Sequence, residues 1–158
     1  MKRIILTIAS AILVSTAFAE VPKTAAEAAA VIQQRGAAAF LAALSPAKVD
    51  QLYERFDNGE AEWLPLVPKL AAVADGANAE GLTISVAFAL PNNPTTVLSS
   101  LTEKDGVLGV ARVCSMPFIE DAVPPGYRDK ALAAVRKVAE PRLRSTRTLC
   151  LQALKRTR

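Results

Sequence analysis

The residues in this chain that could do chemistry are few, and the missing types narrow the field first. There is no histidine anywhere in the sequence. The commonest general base, and the usual activator of a serine or cysteine nucleophile, is therefore lacking. Two cysteines, Cys114 and Cys150, stand 36 residues apart. An even pair in an oxidising compartment predicts one disulfide, which would contribute roughly 3–4 kcal/mol on the chain-entropy estimate. Oxidised sulfurs are not nucleophiles. Without histidine or a second cysteine pair a zinc site is not expected. The seven glycines are scattered as stops and turns, so no phosphate-binding loop is visible and no cofactor is expected.

The remaining candidates each have an ordinary structural reading. Ser99 and Ser100 precede Lys104, the spacing of a serine–lysine dyad but equally of an exposed pair at a helix end. Glu60 and Glu62 could work as an acid–base pair, yet residues two apart on a helix point to different sides. They fit better as acidic residues in a first helical turn. Glu120 and Asp121 lie in a proline-rich connection, where a solvated loop tip is the simpler reading than a cation site. Trp63, beside Pro65 and Pro68, is either an aromatic docking point for a partner or a core residue.

Charge is the clearer lead. From Arg128 to Arg158 there are ten basic residues against two acidic ones, whereas Glu20 to Tyr127 holds seven basic against thirteen acidic. Opposite blocks of this kind either pair across the fold or present a cationic face to an anionic partner. Arg142, Arg144, Arg147, Lys155 and Arg156 surround a modest apolar stripe of Leu143, Cys150, Ala153 and Leu154. A basic amphipathic helix can lie on an anionic membrane. A disulfide through Cys150 would instead dock it on the protein body and leave the basic side exposed.

The location of that face follows from the first nineteen residues. Lys2 and Arg3 precede an apolar run from Ile4 to Val14 and a small-residue stretch ending Ala17-Phe18-Ala19. This is the layout of a cleaved secretory signal peptide, residues 1–19. Its apolar run is shorter than the roughly 20 residues a spanning helix needs. Taking nineteen from 158 leaves 139 residues, enough for a single domain with one core. The mature chain, 20–158, is expected to be soluble, periplasmic or secreted, and not transmembrane; nucleic acid is not an expected partner.

The elements that must carry these residues read as helices. Thr24-Ala25-Ala26-Glu27 fits a capping box, opening an alanine-rich helix to Leu44. Ser45-Pro46 starts a second helix carrying Val49, Leu52, Tyr53 and Phe56, ended by Asn58-Gly59. Pro65 and Pro68 predict a short turn, then a helix from about Leu66. Asn78 is expected to cap a helix to Leu90, although Leu82 to Val86 also suits a strand. Asn93-Pro94 opens another helix. Val107 to Met116 fits one helix face better than a strand, Tyr127 to Ala139 is helical, and Pro141 opens the last helix. The Xaa-Pro steps at 45, 93 and 140 recur at intervals of 48 and 47 residues, a period compatible with an irregular HEAT- or armadillo-like array.

The sequence thus predicts an all-α domain of about six to eight short helices closed by Cys114–Cys150. The functional expectation is a non-catalytic, exported module that binds another envelope protein, with inhibitors and immunity-type proteins as one instance. The alternative is a binder of anionic lipid or polymer through the basic C-terminal helix. An enzyme built on carboxylates or a serine–lysine pair is the least favoured reading.

Overall fold

The computed structural model describes residues 20–118 and 123–156. It is all-helical, with nine α-helices among the described residues. Residues 1–19, which the sequence predicts to be a signal peptide, and the Glu120–Asp121 pair lie outside the described residues.

Thr24 caps α1 (Ala25–Arg35) as the capping box requires. Its hydroxyl accepts from the Glu27 amide at 3.2 Å while the Glu27 carboxylate accepts from the Thr24 amide. Ala25, Ala28 and Ile32 form the buried stripe. The expected single helix to Leu44 is instead broken at Gly36, whose φ of +84° only glycine adopts without strain. The chain restarts as α2 (Ala37–Ala42), which buries Phe40 and Leu41. Helix α3 (Pro46–Asp57) begins on Pro46 and buries Leu52, Tyr53 and Phe56. A 3-10 turn at Leu64–Leu66 leads into α4 (Val67–Ala71), the turn-then-helix that Pro65 and Pro68 predict.

The core is organised around α5 (Gly76–Ala89). It is buried on adjacent positions, Leu82 and Thr83 and then Ser85, Val86 and Ala87, so more than one face is covered. It packs against α3, α4, α6 (Pro94–Ser100) and α7 (Val110–Val113). Close approach of α3 needs Gly81, because a Cβ there would stand 2.8 Å from the Tyr53 ring. The Tyr53 hydroxyl donates to the Asn78 carbonyl at 2.9 Å, and burial, then Asp50, push its pKa up to about 12. Asn78 is not the expected cap: α5 starts three residues earlier, with Asp75 in the N-cap position.

Between Val107 and Met116 the helical expectation holds only in part. Thr102 pairs with Gly109 in an isolated parallel bridge, and helix is confined to the four residues of α7. The turn that precedes α7 needs glycine at 109, since a Cβ there would lie 3.0 Å from the Lys104 carbonyl. Helix α8 (Tyr127–Arg136) stops three residues before the predicted Ala139. Pro141 opens a 3-10 turn, Pro141–Leu143, that runs into α9 (Arg144–Arg156). The evenly spaced Xaa-Pro steps do mark three helical starts. The helices that follow differ, however: 12, 5 and 14 residues after the first and 7, 4 and 10 after the second.

The disulfide forms between Cys114, at the end of α7, and Cys150, in α9, with Cα atoms 5.2 Å apart. Both cysteines are fully buried. No helix among the described residues is long and apolar enough to cross a membrane.

Candidate functional site

Helices α8 and α9 are held together by two arginines, each closing the other helix's carbonyl end. Arg128, in the first turn of α8, donates from Nε to the Leu154 carbonyl at 2.9 Å and from its terminal nitrogen to the Lys155 carbonyl at 2.8 Å. It thereby satisfies two of the four carbonyls that a helix leaves unpaired at its end, with a positive charge where the dipole is negative. Arg147 of α9 donates to the Val138 carbonyl just beyond α8. The pair consequently runs antiparallel, splinted at both ends. The disulfide fixes α9 to α7, and Ser145 ties its first turn to the Glu103 carboxylate at 2.6 Å.

Between the splinted helices lies a hollow of about 410 Å³ lined by Arg136, Arg147, Thr148, Leu151, Gln152 and Lys155. Three cations, two neutral hydrogen-bonding side chains and one half-buried leucine face it, and among the described residues no carboxylate does. Among the described residues neither Arg136 nor Lys155 forms an ion pair. Such an arrangement offers charge-assisted hydrogen bonds to a carboxylate or phosphate oxygen. Arg144 lies one helical turn before Thr148 on the same side of α9, and Arg142 and Arg156 are exposed at its two ends.

The cationic set read from the sequence is thus sorted by the fold. Arg147 and Lys155 converge, Arg142, Arg144 and Arg156 extend the face, and Arg147 is half-committed to a backbone carbonyl. Arg136 was not in the set, because its membership depends on how α8 packs against α9. The other candidates go elsewhere. Trp63 is a core residue, 4% exposed, with the Arg55 guanidinium 5.8 Å from its ring centre, so it offers no docking point. Ser99 and Ser100 donate to the Thr96 and Val97 carbonyls one turn back, which is helix-end bonding rather than a dyad. Glu60 pairs with Arg55 at 3.3 Å, outside any helix. Among the described residues no cluster of three or more metal-ligating side chains occurs.

A second hollow, of about 290 Å³, sits at the opposite end of α8. Asp57, Asn58, Phe88, Asn92, Tyr127 and Lys130 line it, with Pro91 and Pro124 at its edges. Phe118 packs on Phe88, ring centres 4.5 Å apart, and edge-on to Tyr127 at 4.7 Å. The Tyr127 hydroxyl donates to the Ala87 carbonyl at 2.6 Å, and its burial holds the phenol well above its ordinary pKa. Oxygen Oδ1 of Asp57 is enclosed and has no hydrogen-bond partner.

Comparison with family models, with curated proteins and with solved structures returns no match.

Proposed function

We propose that this chain is an exported, non-catalytic binding protein that engages an acidic surface of another envelope protein through the hollow between α8 and α9. The observation that carries this reading is the convergence of Arg136, Arg147 and Lys155 in one concavity with no carboxylate among its lining residues. Positive charges left without counter-charges repel one another, at a small cost in water that an anionic partner would reverse. The disulfide and the arginine splints support the reading, because a pre-ordered surface loses less entropy on binding.

A protein partner suits the surface better than a bilayer. Insertion of a basic helix into a membrane needs an exposed apolar face. The large apolar side chains exposed among the described residues are Val73 and Val123, and neither is on α9. An inhibitor or immunity-type protein is the instance that fits such a module.

The test is capture from a salt-washed envelope extract by tagged mature protein, in parallel with the double variant Arg136→Glu/Lys155→Glu. One polypeptide retained in stoichiometric amount by the unaltered protein, absent from the variant and released steeply by salt, is the expected result. Retention of lipid or polymer without a polypeptide, or equal capture by the variant, would overturn it.

A further inference from the structure

The hollow at the N-terminal end of α8 has a different chemistry and is independent of the reading above. Asp57 is the last residue of α3, where the helix dipole is negative and a carboxylate is disfavoured. Glu54 lies one turn before it, adding a like charge, and burial and Glu54 together raise its pKa against the opposing hydrogen bond from Ser85 of α5. Its Oδ1 has no donor, and Asp57 is in no ion pair among the described residues. Although that oxygen is sealed, Asp57 itself lines the hollow. Lys130 of α8 lines the same hollow, is exposed, forms no ion pair among the described residues and supplies a single ammonium. Asn58 and Asn92, whose side-chain amide donates to the Asn58 carbonyl at 3.5 Å, also line it, together with Phe88 and Tyr127, which are backed by Phe118.

We infer that this hollow binds a small zwitterion, an α-amino acid or dipeptide with an apolar side chain, its ammonium facing Asp57, its carboxylate facing Lys130 and its side chain against Phe88 and Tyr127. The volume, about 290 Å³, is at the lower end of small-molecule sites, as is the division into an apolar wall and a few placed polar groups. A divalent metal would find one carboxylate here and a cation opposing it. A purely anionic ligand would meet Asp57.

Titration calorimetry of the disulfide-closed mature protein decides the matter, with L-leucine and leucyl-alanine as probes. N-acetyl-leucine, which lacks the ammonium, and leucinamide, which lacks the carboxylate, are the controls. Binding of leucine or the dipeptide, at least tenfold tighter than either control, is the expected result, and the tighter of the two zwitterions identifies the source. Binding should also strengthen as pH rises through the Asp57 titration, and Asp57→Asn should erase both that pH dependence and the discrimination against N-acetyl-leucine. No heat from either zwitterion up to roughly 10 mM, a binding free energy weaker than about −3 kcal/mol, would sink the inference. So would N-acetyl-leucine binding as tightly as leucine. The ligand-side comparison stands even where the Asp57 variant fails to fold.

Discussion

Helix α8 has a hollow at each end, and the two manage charge in opposite ways. At the Arg136 end three cations meet at the surface, where water screens them and repulsion costs little. At the Tyr127 end one carboxylate is partly withdrawn from water, beside a helix end that already disfavours it. The first arrangement suits a large partner of opposite sign, with an attraction that weakens with salt. The second suits only a group small enough to enter. A site's reach thus depends on how deeply its charges sit, and one ten-residue helix supports both kinds.

The largest change expected comes from the bond that fixes α9. Replacing Cys114 and Cys150 with serine removes roughly 3–4 kcal/mol in the chain-entropy account. That corresponds to a fall of about 10 °C in Tm for a domain of this size, readable by circular dichroism. The same change should loosen the basic hollow, one wall of which is α9, and leave zwitterion binding at the Asp57 hollow much less affected. Next is Arg128→Ala, which strips the splint from the last turn of α9. Two lost charge-assisted bonds amount to about 2 kcal/mol, and hydrogen exchange should show fraying confined to Leu151–Arg156. The charge reversal Arg136→Glu/Lys155→Glu should weaken partner binding at least tenfold, about 1.4 kcal/mol, with Tm nearly unchanged. An equal loss of zwitterion binding in that variant would mean that the two ends do not act separately.

The smallest effect concerns pH. Because the folded-state pKa of Asp57 is raised from 3.8, the native state holds its proton more tightly than the unfolded chain does. Its contribution to stability is fully present below that value and is lost as pH rises through the folded pKa. Asp57→Asn should therefore stabilise the protein at neutral pH, by less than about 1 kcal/mol since the side chain is partly exposed and water screens it. It should also flatten the stability profile in the acid range just above 3.8. Denaturant titrations at several pH values check this.

What the sequence revealed follows the range of the forces involved. The capping box at Thr24, the proline starts at 46 and 94 and the cysteine pair act locally or through an unmistakable chemistry, and each is found where its residues indicate. The break at Gly36 was missed because its surroundings are alanine-rich and helix-favouring, and one glycine did not outweigh them. The restriction of α7 to one turn is not legible because residues 108–110 bond to Thr102 across a loop instead of continuing a helix. The site was legible as a basic segment but not as a hollow. Arg136 joins it, and Arg147 is partly spent, only through the packing of α8 on α9. Asp57 gave no signal at all, since nothing in Arg55-Phe56-Asp57-Asn58 says that one oxygen will be enclosed.

The complete burial of Cys114 and Cys150 has a consequence for how the molecule is assembled. Thiol–disulfide exchange requires an attacking thiolate to reach a sulfur atom, and in the finished fold none is reachable. Oxidation accordingly takes place while α9 stands away from α7, before it docks or when that part of the structure opens. Once sealed, the link is broken by reductant no faster than that part of the structure opens.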